Sequence, residues 1–372
     1  MTDTLKPREQ ISRKERNSNL ELFRIIVMLV IVAHHYVVNS GLKGSGGPIY
    51  TYLHSMRSMF LLLVGAYGKT GINCFLFITG YFMCKSNISL RKFLKIYGQI
   101  LFYRFAIYLI FCATGYSVLT VKGFFSRFLP FESLHQNFIG CFMAFWLLIP
   151  FLNVLVQNLT KKQHLCLIGL LLWMYTIMSL PQKWLGSEIV FNYVTWFCVL
   201  YIISSYVRLH PSEILENTKL WGWITLVTLL VSAASVVVCA LYGGGSNAYY
   251  FLSDSNKLFA VVLGFSSFNF FRTLKVPYSK LINAFGASTF GVLLIHAQSA
   301  AMRKWLWKDV LDCVGAYDLG KMLIVHLVCS VLGIFLVCSL IDMLRIRFIE
   351  KPCLALYDRL EAKYRAGHAK EN

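Results

Sequence analysis

The fold class is decided by residues 20–39, which read LELFRIIVMLVIVAHHYVVN. A helix of that length covers about 30 Å, which is the thickness of the hydrocarbon core of a membrane. Most of its residues are apolar, but Glu21, Arg24, His34 and His35 are ionisable. The stretch therefore predicts a transmembrane helix with several ionisable side chains, whose burial in the membrane costs free energy.

The composition of the whole chain supports a membrane protein. Of its 372 residues, 57% are hydrophobic and 14% are charged, against roughly 45 to 50% and about 25% in soluble domains. This apolar excess is too large for the core of one soluble domain and excludes an ordinary soluble enzyme. An aromatic content of 15% excludes an intrinsically disordered chain.

Apolar runs of about 17 residues or more predict an all-α, polytopic integral membrane helix bundle with about ten transmembrane helices. Lys69 and Gly71 interrupt the second run, and residues 57–65 could form a separate half-helix before it. The predicted helices lie near residues 20–39, 66–84, 97–114, 138–159, 163–181, 191–208, 220–241, 251–271, 281–298 and 322–344.

The distribution of Lys and Arg predicts the orientation. With the N terminus inside, 23 of the 36 basic residues fall on the inner side and 9 on the outer side. Both termini are therefore expected to be cytoplasmic, with 1–19 as a basic tail, 346–372 as a second tail, and an outward loop at 115–137. The net charge of +19 then reflects topology and contact with anionic membrane lipids, and predicts no nucleic-acid partner.

Arg24 and His35 define a polar stripe on the first helix. They are eleven positions apart, so on a helix their side chains lie on nearly the same face, about 16 Å apart along the axis. Glu21 lies one turn before Arg24 and could orient its guanidinium. His34 points elsewhere and is expected to be structural or to orient its neighbour. The alternative is that Arg24 reaches lipid headgroups and His35 only packs, although a histidine at that depth needs a polar partner.

Other polar residues in the predicted helices give weaker signals. Arg104 is a charge within the third helix, so it needs a partner or a wet cavity and is expected to line a pore. Thr79 and Tyr81 flank a glycine that permits close approach of a helix or a ligand. The nine His and eleven Cys residues show no spacing typical of metal ligands, so no metal site is expected.

Four motifs of the chain resemble those of the membrane acyltransferase 3 family, and they occur in the same order as in that family. ELFRIIVMLVIVAHH is similar to its first-helix motif of an Arg and a His separated by ten residues. GINCFLFITGYFM resembles its second-helix segment, with Thr79 where Ser is usual. LRKFLKIY resembles its basic entry to the third helix, and STFGVLLIH, which ends at His296, resembles a late helix. The resemblance covers essentially the whole chain.

The resemblance implies an O-acyltransferase domain at 20–345 in the cytoplasmic (inner) membrane. Its activity would move an acyl group, most often acetyl from cytoplasmic acetyl-CoA, to a sugar hydroxyl of a cell-envelope glycan or lipid-linked saccharide, with no permanently bound cofactor. A poor nucleophile of this kind needs a general base, and His35 is the expected one. Arg24, oriented by Glu21, would contact the anionic CoA donor.

Alternative roles remain open for the basic residues of the third-helix entry, for His296 and for the chain as a whole. The basic residues of the third-helix entry could bind the CoA phosphates or only reflect the usual excess of positive charge in inner loops; they are Arg91, Lys92 and Lys95. His296, expected at the same depth as His35, could orient His35, bind the acceptor or simply pack. The whole chain could instead be a secondary transporter in which the intramembrane Arg and His residues form a substrate or proton path.

Overall fold

The computed structural model describes residues 17–129, 137–181 and 191–371, and all regular secondary structure in these ranges is helical. Each of the ten predicted apolar segments contains a helix, and the expected half-helix before the second segment is present as α2. The main helices are α1 (Ser18–Val38), α2 (Met56–Gly65), α3 (Gly68–Met83), α4 (Leu90–Ala113), α5 (Phe138–Asn158), α6 (Lys161–Leu172), α7 (Tyr193–Leu209), α8 (Thr218–Gly243), α9 (Leu258–Thr273), α10 (Lys280–His296), α11 (Met322–Arg345) and α12 (Lys351–Glu371).

Fewer helices than ten have the length of a full crossing. Within the described ranges, six helical segments are long and apolar enough to span a membrane. A seventh is obtained if α10 and the helical stretch Ala300–Leu319, bent by 92° to each other, count as one span. Helices α7 and α9 are apolar but shorter. The chain is thus a helical membrane protein, while the count of ten crossings and the cytoplasmic position of both termini stay predictions.

The C-terminal segment 346–371 is helical. Helix α11 continues through one wider turn, Ile346–Glu350, into α12. Two ion pairs join this extension to α4: Arg91 contacts Asp358 at 2.6 Å, and Lys95 contacts Glu350 at 3.1 Å. The segment predicted as a charged tail is therefore attached to the bundle.

Helices α1 and α10 run side by side in the same direction. The hydroxyl of Ser18 donates to Asn283 near the start of both helices (3.1 Å), and the imidazoles of His35 and His296 meet near their ends. Between these contacts, Gly286 leaves room for Glu21, because a Cβ at that position would overlap the carboxylate. The two helices are thus in contact from their first residues to their last.

Helix α3 packs against the other side of α1 in the opposite direction. Its first residue, Gly68, lies so close to His34 that a Cβ there would overlap the imidazole. One turn later, Gly71 makes a similarly close approach to Ile31. Small residues permit this kind of close packing between membrane helices. Gly71, an interruption in the hydrophobic pattern, is therefore a contact point.

Candidate functional site

A cavity of about 740 Å³ opens beside the histidines of α1. Its walls come mainly from the C-terminal ends of α1 and α10 and from the N-terminal ends of α3, α5 and α7. Arg104 of α4 and parts of the segments after α4 and α10 complete them. These ends lie together at the side of the bundle away from Ser18, because α1 and α10 are parallel and α3 runs the opposite way. Both His34 and His35 line this cavity.

His35 and His296 form a direct hydrogen bond. Nδ1 of His35 lies 2.9 Å from Nε2 of His296, in agreement with the common depth expected from the sequence. His296 is fully buried, and its Nδ1 lies 2.6 Å from the carbonyl oxygen of Val292. The ring of Trp307 packs edge-on against His296 with the centroids 6.4 Å apart. His296 is therefore fixed on three sides.

These contacts determine the arrangement of protons on the two rings. A carbonyl oxygen only accepts, so Nδ1 of His296 must carry the hydrogen donated to Val292. In a neutral imidazole the other nitrogen is then an acceptor, and His35 donates to it from Nδ1. The lone pair of His35 consequently resides on Nε2, for which no hydrogen bond to another described residue is present. A nitrogen of this kind, beside a cavity, can accept a proton.

His34, on a neighbouring face of α1, also lies close to this centre. Its Nδ1 donates to the carbonyl of Gly65 at 2.5 Å, and its ring centroid lies 5.6 Å from that of His35. It also lines the cavity, because the cavity extends from α10 past α1 to α3. The contacts with Gly65 and Gly68 fit the expected structural role of His34, and its role as an orienting neighbour of His35 stays a prediction.

Arg24 and Glu21 are paired as expected. Nη1 of Arg24 lies 3.2 Å from Oε1 of Glu21, and the side chains are 25% and 8% exposed. Neither residue lines the cavity. They lie about 16 Å or more from His35 along α1, so any shared role requires a ligand that extends over this distance.

The basic residues at the start of α4 are mostly occupied by protein partners. Arg91 and Lys95 form the ion pairs with the C-terminal helical extension described above. Lys92 donates to the hydroxyl of Ser86 (2.6 Å) and to the carbonyl of Asn87 (2.7 Å). These contacts explain the three residues through local structure, and their role in binding CoA phosphates stays a prediction.

Of the three remaining candidates, one lies at the cavity. Arg104 lines it, and its guanidinium donates to backbone carbonyls of the segment after α4, including that of Ser126 at 2.8 Å. Thr79 donates to the carbonyl of Phe75 in its own helix. Tyr81 accepts a hydrogen bond from Arg208 (2.9 Å), whose guanidinium also lies over the Tyr81 ring. Thr79 and Tyr81 thus lie apart from the histidine pair.

Several cavity residues were not recognised in the sequence. Lys69, Arg127 and Arg303 contribute to its walls. Lys69 is a charge inside an apolar segment, and such a charge is itself a sign of function. Arg127 and Arg303 lie in connecting segments, and nothing in their local sequence indicates that these segments meet.

A buried acidic residue on α11 was also missed. Oδ1 of Asp342 accepts hydrogen bonds from Tyr103 (2.8 Å), Arg345 (2.8 Å) and Gln99 (3.2 Å). Gly291 of α10 lies against this carboxylate, and a Cβ there would overlap it. An aspartate inside a predicted span was a readable signal. The network joins α4 to α11 and packs against α10.

Comparison with known proteins identifies the family of the chain. Among the described residues, no group of three or more His, Cys, Asp or Glu side chains could hold a metal ion. No curated protein and no solved structure shows significant similarity to the chain. The model of the acyltransferase 3 family, described as an acyltransferase domain, matches residues 17–343. This match includes every helix that forms the cavity, and the chain therefore belongs to the acyltransferase 3 family.

Proposed function

We propose that this protein is a multi-pass O-acyltransferase of the cytoplasmic (inner) membrane. It moves an acetyl group from cytoplasmic acetyl-CoA to a sugar hydroxyl of a cell-envelope glycan or a lipid-linked saccharide. The observation that carries the proposal is the hydrogen-bonded pair of His35 and His296, with Nε2 of His35 left for a substrate beside a cavity. The membership in an acyltransferase family supports the reaction class.

In this reaction, His35 acts as the general base. Its Nε2 accepts the proton of the sugar hydroxyl while the hydroxyl oxygen attacks the carbonyl carbon of the thioester. The carbon–sulfur bond then breaks, and the proton on His35 passes to the departing sulfur to give free CoA. His296 is a positioning residue, because its hydrogen bond fixes the ring orientation and the tautomer of His35.

The distance between Arg24 and His35 suits a long donor. The phosphates of CoA are separated from its thioester by the flexible pantetheine arm. With the thioester carbonyl at His35, a donor extended along α1 would place its phosphates toward Arg24, about 16 Å away. Arginine binds phosphate through several donors in fixed geometry, and Glu21 holds the guanidinium in place.

Substitution of His35 by alanine provides the test. The variant His35→Ala should lose transfer by roughly 10² to 10⁴-fold, the usual cost of a missing general base, while it still binds acetyl-CoA. Full-length protein in membrane vesicles would be assayed with radiolabelled acetyl-CoA and the extracted envelope glycans of cells that lack the gene. Alkali-labile acetyl groups on the glycans would identify the product by mass spectrometry.

The matched control is His326→Ala. His326 contacts α1 through the hydroxyl of Tyr36 at 2.8 Å but does not line the cavity. This control should keep its transfer activity. Equal losses in both variants, together with lowered melting temperatures, would show that His35 is structural. Absence of covalent transfer by the wild-type protein to any envelope glycan would instead favour a transporter.

A further inference from the structure

The cavity beside His35 is lined by basic side chains from separate parts of the chain. Lys69 comes from α3, Arg104 from α4, Arg127 from the segment after α4, and Arg303 from the short helix Ala300–Lys304. Among the described residues that line it, there is no Asp or Glu. The folding of the chain thus brings four cations together around a space that a substrate must enter.

Two of these cations have neutral partners. Nε of Arg127 donates to the carbonyl of Gly123 (3.1 Å), and its guanidinium lies 4.8 Å from the ring centre of Tyr108. Arg303 donates to the carbonyl of Ala297 at 3.4 Å. Carbonyls and aromatic rings orient a guanidinium but do not neutralise it. The charges of Arg127 and Arg303 therefore contribute to a positive potential in the cavity.

Lys69 is partly compensated by a carboxylate outside the cavity wall. Its Nζ donates to the hydroxyl of Tyr193 and lies 3.6 Å from Oδ1 of Asp254. The same hydroxyl of Tyr193 donates to Asp254 at 3.0 Å. Asp254 thus partly compensates the charge of Lys69, whereas the described contacts of Arg127 and Arg303 include no carboxylate. Several like charges around one partly enclosed space favour the binding of an anion.

We propose that the acceptor saccharide is anionic, and that a phosphate or carboxylate close to its reacting hydroxyl binds to Arg303, Arg127 and Lys69. This inference rests on the proposed acyl transfer and specifies its acceptor. The basic residues hold the charged group while the neighbouring hydroxyl lies at Nε2 of His35. A charge-assisted contact of this kind orients the sugar and also increases its affinity.

The phosphates of CoA do not explain these cations. The cations line the same cavity of about 740 Å³ as His35. A CoA molecule with its thioester at His35 carries its phosphates at the far end of the pantetheine arm, well beyond this cavity. The anion bound next to the reacting atoms must therefore belong to the acceptor.

The experiment compares glycosides that differ in one group. Full-length protein in phosphatidylcholine nanodiscs, which add no anionic lipid, would be titrated with octyl β-D-glucuronide, octyl β-D-glucoside 6-phosphate and octyl β-D-glucoside. The anionic glycosides should bind about tenfold more tightly than the neutral one, and the difference should decrease at high salt. Arg303→Gln should reduce this preference severalfold, and Arg303→Lys should restore part of it.

The matched control is Arg57→Gln. Arg57 also has neutral partners, since it donates to the carbonyl of Tyr317 (2.8 Å) and lies over the Tyr317 ring, but it does not line the cavity. This variant should keep the full preference. Unchanged binding of the neutral glycoside by Arg303→Gln would show that the variant remains folded.

Two results would overturn the inference: equal affinity of the wild-type protein for all three glycosides, or weaker binding of acetyl-CoA to Arg303→Gln with the anionic preference intact. The second result would show that Arg303 contributes to the binding site of acetyl-CoA. A preference for anions without any acetyl transfer to these glycosides would support the anion site and count against the proposed transfer.

Discussion

Removal of the imidazole at position 296 tests the histidine pair most directly. In His296→Ala, the hydrogen that His35 donates from Nδ1 loses its acceptor at 2.9 Å. A buried donor without a partner costs about 1 to 3 kcal/mol. If this cost falls on the catalytic orientation of His35, kcat should decrease roughly 5- to 150-fold. Most of this range lies below the loss of roughly 10² to 10⁴-fold expected for His35→Ala.

The Michaelis constants separate a positioning role from a loss of structure. The KM for acetyl-CoA should stay near the wild-type value, because the expected phosphate end of the donor lies about 16 Å from the pair. His296→Gln provides a second comparison, since an amide oxygen can accept the hydrogen of His35. We expect it to recover part of the lost kcat.

The assay measures transfer of radiolabelled acetyl groups by full-length protein in vesicles, at equal protein content and with parallel melting curves. The variant His326→Ala reports the general effect of removing a histidine that contacts α1. A wild-type kcat in His296→Ala would refute the positioning role. A raised KM and a lowered melting temperature, with no recovery in His296→Gln, would assign His296 to packing.

Three further predictions concern the ends and packing of α1 and the topology. Arg24→Lys should lose most activity and raise the KM for acetyl-CoA, because lysine lacks the planar set of donors; wild-type kinetics would place Arg24 among lipid-facing residues. Gly68→Ala should lower the melting temperature, since its Cβ would overlap His34 and overpacking costs about 1 to 3 kcal/mol; unchanged melting would contradict this close contact. Reporter fusions after Asn372 should be active in the cytoplasm and fusions near Lys122 outside it, and the reverse pattern would refute the predicted orientation.

Much of the helical framework could be predicted because a membrane imposes a simple rule on sequence. Every backbone group must be paired within its own helix, so long apolar runs predict helices directly. The possible half-helix at 57–65 corresponds to α2, whereas Lys69 and Gly71, which interrupt the apolar pattern, lie inside α3. The number of membrane crossings is harder to predict. Helix α10, which ends at His296, is followed by a sharp bend that the amino-acid composition of this region does not reveal.

The candidate site was only partly predictable for a different reason. Helix geometry within one segment predicts the relative positions of Glu21, Arg24 and His35 on α1. Contacts between distant segments have no such rule: Arg91 and Asp358 lie 267 residues apart, yet they form a bidentate ion pair. A basic cluster that looks available in the sequence is therefore already partnered in the folded chain.

The close contact between α1 and α10 explains why the histidines can be placed accurately at the end of two long helices. The pair is fixed at its start by Ser18 and Asn283 and at its end by the imidazoles themselves. Behind α10, Asp342 packs against Gly291 and connects it to α4 and α11. A cavity with cations needs rigid walls, because a charged side chain that could move away would give no lasting orientation to a substrate. The buried polar network thus holds α10, which carries His296, against its neighbouring helices.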